Sequence, residues 1–143
     1  MESINLDSLM ESETKVILDA NFLFIPIQFN LDIFDELQRI LNRRFVSIVL
    51  SSTLKELEGL TQSKLLKTQK QAENALKLVD KCKFVSIKKN CNETFDDVIV
   101  RISSEWKCLV ATNDRDLKQK LREQGVPVIY MRQKKRLELE GSV

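Results

Sequence analysis

The 143 residues suffice for one domain with a sizeable core, and 43% hydrophobic against 31% charged residues is a globular balance. Lys and Arg number 23 and Asp and Glu 21, so the net charge of +2 says little about partners. There is no His, which excludes Ser-His-Asp and Cys-His catalysis and His-based zinc sites, and Gly59, Gly125 and Gly141 lie too far apart for a Walker loop or a dinucleotide fingerprint. What remains is chemistry by carboxylates, hydroxyls, amides and Lys/Arg, or by a metal held through oxygen.

Cys82, Cys91 and Cys108 are odd in number and form no CxxC, which reads as reduced thiols in a reducing compartment. The opening MESINLDSLMESETK lacks the basic and apolar regions of a signal peptide, and no apolar run approaches the roughly 18 residues of a membrane span. A cytoplasmic location is expected.

In chain order, residues 1–13 are polar and acidic and read as a loosely held arm. KVILDA (15–20) is a short apolar strand ending at an Asp. NFLFIPIQFN is irregular and more apolar than a loop setting explains, the mark of an interface. In LDIFDELQRILNRR, Ile33, Phe34, Leu37, Ile40 and Leu41 recur at helical spacing. FVSIVLS (45–51) is a second strand; Ser51 or Ser52 then caps a helix carrying Leu54, Leu57 and Leu60 that stops near Gly59. A longer helix runs from about Lys64 to Lys81, and CKFVSIK (82–88) is a third strand. After the turn KKNCNET, Thr94 caps a helix over 95–106. CLVAT (108–112) is a fourth strand, NDRDLKQKLREQG a helix closed by Gly125, and VPVIYM (126–131) a fifth strand. RQKKRLELEGSV reads as a polar tail, so the domain is expected over 14–137 with a tail over 138–143. Strands alternating with helices predict an α/β/α sandwich around a parallel sheet, and Pro127 predicts that the fifth strand lies at its edge.

Open sheets of this kind bind ligands outside the carboxyl ends of their strands. Acids fall at four of those ends: Asp19 after the first strand, Glu56 one helical turn after the second, Asp96 and Asp97 after the third, and Asp114 and Asp116 after the fourth. Each has a local alternative. Asp19 suits an Asx-turn, Glu56 a solvated first turn, and Thr94 with Asp97 a capping box. Together, however, four connections place acid at one rim, where clustered carboxylates raise one another's pKa unless a cation neutralises them. Such an all-oxygen site suits Mg²⁺ or Mn²⁺. Asn21, Thr112 and Asn113 add neutral polar groups at the same rim.

VILDAN (16–21), SSTLKELEGL (51–60), FDDVIV (95–100) and VATNDRDLKQKLREQGVPVIYMRQKK (110–135) resemble the four motifs of a PIN domain, in order, over roughly residues 14–137. The last segment is similar to the archaeal branch related to the eukaryotic endonuclease of small-subunit ribosomal RNA, with VapC-type toxins as cousins. The resemblance implies a five-stranded sheet of order 3-2-1-4-5 and a Mg²⁺- or Mn²⁺-dependent endoribonuclease. It implies cleavage that leaves a 3′-hydroxyl and a 5′-phosphate. Carried onto this chain, the metal-binding and catalytic acids are Asp19, Glu56, Asp96 (with Asp97 as the alternative) and Asp114, with Asp116 further out. Ala20 stands where many members have Thr.

The lysines between Lys64 and Lys89, and Arg115, Arg132 and Lys134 nearer the acids, are candidates to hold RNA phosphates. The expected partners are an RNA substrate, a second copy of the chain as a homodimer, and ribosome-assembly factors or an antitoxin. Two other functions stay open: a non-catalytic RNA- or ribosome-binding scaffold, and a VapC-like toxin.

Overall fold

Apolar residues facing both ways along Thr14–Leu18 make β1 a strand that helices must cover on each side. The computed structural model describes residues 13–141, so the expected arm lies, Glu13 apart, outside the described residues. Val16 and Leu18 enter one core and Ile17 the other, and all three are fully buried. This is why the strand reads as a continuous apolar run rather than an alternation.

β1 sits in a six-stranded sheet with β2 (Phe45–Leu50), β3 (Lys83–Val85), β4 (Leu109–Ala111), β5 (Val128–Arg132) and β6 (Arg136–Glu140), in the order β3-β2-β1-β4-β5-β6. The first five strands run parallel, with Ile17 level with Ile48 on one side and Val110 on the other. The expected α/β architecture and 3-2-1-4-5 order hold. One core packs α1 (Ile25–Phe29), α2 (Ile33–Leu41), α3 (Ser51–Leu60) and α4 (Leu66–Val79) through residues such as Leu37, Leu57 and Ala75. The other packs α5 (Phe95–Trp106) and α6 (Arg115–Glu123) through Ile99, Ile102, Leu117 and Leu121. Among the described residues no helix is long and apolar enough to cross a membrane.

Five local expectations are corrected. The stretch read as a polar tail forms β6, antiparallel to β5 with Arg132 level with Arg136. β5 is therefore not the edge. Pro127 precedes it and only accepts, its C=O taking the Val110 N–H at 3.1 Å. RLELE alternates with period two, but only Leu137 is fully buried, and the charged positions are absorbed by ion pairs. Gly141 closes the strand at φ +102, where an added Cβ would meet Pro127 Cα at 3.1 Å.

The apolar segment expected as an interface forms a 3₁₀ turn, Ala20–Phe24, followed by α1. Phe22, Leu23 and Ile25 are fully buried, and of the segment's apolar residues only Ile27 is substantially exposed. The core accounts for its composition. Neither Ser51 nor Ser52 caps α3. Ser51 Oγ accepts from the Ile87 N–H at 2.9 Å and donates to the Ile87 C=O at 3.1 Å. That tie carries the chain past β3, which stops at Val85 rather than at 88. Thr94 does cap α5, and Asp97 completes the capping box. The three cysteines are free, and burial pushes the Cys82 and Cys108 thiols up to about 12 and about 11.

β6 is an edge strand, and its open backbone groups are partly occupied. The Leu137 N–H donates to Glu36 Oε1, and its C=O accepts from Arg39 Nη2, both at 3.2 Å. Glu36 and Arg39 are themselves paired at 2.9 Å. This side-chain clamp takes the place of a neighbouring strand and blunts the edge.

The β5–β6 turn carries backbone strain. Lys135 N–H donates to Arg132 C=O at 3.2 Å across Gln133 (φ 54) and Lys134 (φ 60). Two successive positive φ angles suit Asn-Gly, whereas each L residue with a longer side chain costs about 1 kcal/mol there. Replacing Gln133→Asn and Lys134→Gly together is expected to stabilise the protein by about 1 kcal/mol and raise Tm by about 3–5 °C. A thermal melt showing no rise would contradict the strain.

Candidate active site

The site begins where β1 ends. Asp19 follows Leu18 and is 4% exposed, a carboxylate at the centre of the sheet's carboxyl rim. Its backbone N–H extends the β1–β4 ladder by donating to Ala111 C=O at 3.0 Å. Oδ1 accepts from the Ala20 N–H at 2.8 Å, which opens the 3₁₀ turn, and Oδ2 accepts from Thr112 Oγ1 at 2.7 Å.

Thr112 is fully buried just past β4, and its hydroxyl has one proton, given to Asp19. The same oxygen accepts the Asp114 N–H at 3.0 Å. Asp114 Oδ1 then accepts from the Leu117 N–H at 3.0 Å and starts α6. Asn21 Oδ1 accepts the Asn113 N–H at 3.0 Å, and Asn113 Oδ1 accepts the Met131 N–H at 2.8 Å. Asn21, Thr112 and Asn113 thus lace the ends of β1, β4 and β5 together. They fix the backbone from which Asp19 and Asp114 project.

Glu56 comes from the second turn of α3 and Asp96 from the first turn of α5. Burial raises the Glu56 carboxyl to about 7, helped by the charges of Asp19, Asp96 and Asp114. Burial likewise raises Asp19 to about 6 against its two hydrogen bonds, with further push from Asp96 and Asp114. Asp96 is raised by burial and then by Asp114, and Lys120 works in the opposite direction. Asp19, Glu56, Asp96 and Asp114 therefore stand near enough to one another at the sheet's carboxyl rim to act as like charges. Among the described residues no three of them are drawn together into a ready-made metal cage. Burial, with like charge added, pushes the Asp19 and Glu56 carboxyls up toward neutral pH.

The neighbouring residues separate from this group. Asp97 is engaged with Thr94, which with Lys120, 3.8 Å away, lowers its pKa. Asp116 is exposed on α6, and its charge reaches Asp96. Arg115 is exposed beside Asp114, Arg132 pairs with Glu138 at 3.1 Å, and Lys134 lies at the β5–β6 turn. Ser52, four residues before Glu56 on the same face of α3, has the one buried side-chain polar atom among the described residues without a hydrogen-bond partner. An all-oxygen set of repelling carboxylates has the donor chemistry that a hard divalent cation takes.

Residues 16–134 match the PIN like domain family. The chain is 37% identical to ribonuclease VapC4 of Methanocaldococcus jannaschii over 132 residues, 90% of this chain and 98% of that protein. It is 31% identical to the rRNA-processing protein fcf1 of Schizosaccharomyces pombe, matching 80% of this chain but only 57% of that longer protein. Among solved structures, the PIN domain endonuclease Utp24 superposes with a TM-score of 0.73 at 28% identity, covering 90% of this chain and 92% of that one.

The raised pKa values set a stability profile for the metal-free protein. Both folded-state carboxyls bind protons more tightly than unfolded ones, so their stabilisation is fully present below about pH 4 and is lost as pH rises through about 6 for Asp19 and about 7 for Glu56. In EDTA, Tm is expected to fall between pH 5 and pH 8, with Asp19 contributing on the order of 2 kcal/mol. Asp19→Asn should flatten that fall and hold Tm at or above the wild-type value at pH 8. Parallel melting profiles for the two proteins would refute the repulsive crevice.

Proposed function

Since the chain belongs to the PIN-like domain family, we propose that it is a metal-dependent endoribonuclease that hydrolyses phosphodiester bonds in RNA processing, including that of ribosomal RNA. The observation that supports this reading is that Asp19, Glu56, Asp96 and Asp114, from four separate connections, are near enough to raise one another's pKa.

In this reading those four acids hold Mg²⁺ or Mn²⁺, and Asp116 assists from the outside. Asp96 rather than Asp97 is the third acid, because Asp97 is committed to the α5 cap. When bound, the metal supplies Lewis-acid polarisation of the scissile phosphate and a lowered pKa for the attacking water. The chain's own residues do the positioning. Thr112 and the Ala20 N–H hold the two Asp19 oxygens in fixed directions, so the carboxylate cannot rotate. The Asp114 carboxylate is oriented by the Leu117 N–H. Arg115, Arg132 and Lys134 meet phosphates on the strand to either side.

The similarity to ribonuclease VapC4 along nearly the whole of both chains favours a second role for the same chemistry, that of a toxin held in check by an antitoxin. Growth arrest on expression, relieved by Asp19→Asn, would select it over RNA processing.

The test is cleavage of single-stranded and structured RNA with Mn²⁺. Asp19→Asn is expected to lose at least ~100-fold in rate. Mn²⁺ should raise the wild-type Tm by mass action and that of Asp19→Asn much less. RNA bound but left intact by the wild type would favour the scaffold. Cleavage by Asp19→Asn at the wild-type rate would overturn the assignment.

Thr112→Val gives a sharper check on positioning. It removes the hydroxyl at near-constant volume and leaves Asp19 Oδ2 without its donor. The expected result is a ~10-fold or greater fall in kcat with little change in KM for RNA. An unchanged kcat would take Thr112 out of the machinery.

A further inference from the structure

The β5–β6 hairpin is held at three places and free at its tip. The Glu36–Arg39 pair clamps Leu137, Arg122 pairs with Glu140 at 2.8 Å, and Asn113 accepts the Met131 N–H. The last of these bonds sets the height of the hairpin against the crevice. Asn113 is the residue before Asp114, and Met131 is the residue before Arg132. The turn thus rises from the level at which Asp114 opens α6. With strands about 4.8 Å apart, its tip lies one to two strand spacings, about 5–10 Å, to the side of β4, which Asp114 follows, and two to three spacings from β1, which Asp19 follows. The nearer of these is within about one Debye length at physiological salt.

Charge is divided unevenly on this tip. Glu138 takes both arginines, Arg132 at 3.1 Å and Arg136 at 3.4 Å. Lys134 and Lys135 have no ion pair among the described residues and are exposed. Lys134 also holds a positive φ that Gly would adopt without strain. Local stability does not account for a lysine there, and strained residues in a rigid frame gather at functional sites.

We propose that the β5–β6 turn is a phosphate grip in which Lys134 and Lys135 hold the backbone of the RNA strand beside the scissile bond. It is fixed in place by the clamp on Leu137. A crevice of four carboxylates repels a polyanion, so the cations that hold the strand must stand next to the crevice and outside it. Lys134 and Lys135 meet that requirement with no ion pair among the described residues, whereas Arg132 must share its charge between Glu138 and a phosphate. The identity of the strand rests on the nuclease reading; the binding measurement does not depend on cleavage.

The test is binding of fluorescein-labelled single-stranded oligouridylate in EDTA, followed against salt. For single strands the salt slope falls by about 0.7 for each phosphate that is no longer neutralised. Lys134→Ala with Lys135→Ala should lower the slope by about 1.4 and weaken binding about tenfold near 0.15 M salt. Gln133→Asn with Lys134→Gly should lower it by about 0.7 while Tm rises, which separates weaker binding from poorer folding. A double replacement of Arg43 and Arg44 by Ala, exposed at the opposite, amino end of the sheet just before β2, removes equal charge and should leave the slope unchanged. No binding by the wild type, an unchanged slope in the turn variants, or an equal loss in the Arg43/Arg44 variant would overturn the proposal. Wild-type protein that binds through the turn yet cleaves no RNA in Mn²⁺ would support the grip and overturn the nuclease reading. Cleavage with a KM indifferent to the turn would overturn the grip alone.

Discussion

A carboxylate buried at the end of the central strand is the constraint around which this molecule is arranged. Asp19 is 4% exposed and would be costly there without partners. Both of its oxygens are met, one by the Ala20 N–H and one by the Thr112 hydroxyl. To supply that hydroxyl, β4 must run beside β1 and end level with it, which the pairing of Leu18 with Ala111 provides. Thr112 must in turn be anchored, and the Asp114 N–H it accepts ties it to the start of α6. One buried acid therefore specifies the register of two strands, the turn after each and the first residue of a helix.

Much of this was legible in the residues. The strand after 14, the acids at successive strand ends and the Thr94–Asp97 box are short-range patterns, and each is decided within a few residues. The same box separates Asp97 from Asp96, because a cap fixes which of two adjacent side chains turns back onto the backbone. The illegible parts depend on distant partners. RLELE reads as a charged tail until Arg122, Arg132 and Arg136 supply counter-charges and Glu36 and Arg39 supply an edge. FLFIPIQF reads as a patch until the sheet covers Phe22, Leu23 and Ile25. Ser51 has the composition of a cap, but its hydroxyl is taken by Ile87, a residue 36 positions away. In each case propensity named a local use for a residue and a tertiary partner outcompeted it.

Polar side chains lace the rim of the sheet, whereas apolar ones fill its body. Asn21, Thr112 and Asn113 each engage backbone groups that the parallel ladder leaves open where strands of unequal length end. β3 and β4 are only three residues long, so much of the sheet's carboxyl edge is made by such side chains rather than by strand pairing. The benefit is directional. A side chain that accepts a backbone N–H at 2.8–3.0 Å fixes the loop as firmly as a strand would and leaves the crevice open above it.

The carboxyl rim must tolerate four neighbouring acids, and the topology supplies part of the relief. The winding of the sheet reverses between β1 and β4, so the connections after them diverge and leave a gap at the rim. α3 and α6 begin within a few residues of the ends of β2 and β4, and α5 begins at Thr94 with its first acids in the same gap. Helix N-termini carry partial positive charge and unpaired N–H groups, worth a few tenths to about 1 kcal/mol each to a nearby acid. Asp114 draws on this directly through Leu117, and Asp96 lies in the first turn of α5. Glu56 lies a full turn into α3, beyond the reach of the first N–H groups, and burial with the charges of Asp19, Asp96 and Asp114 pushes it up to about 7. The relief that helix N-termini offer is therefore uneven: it reaches the acids that open a helix and not the one that follows a turn later.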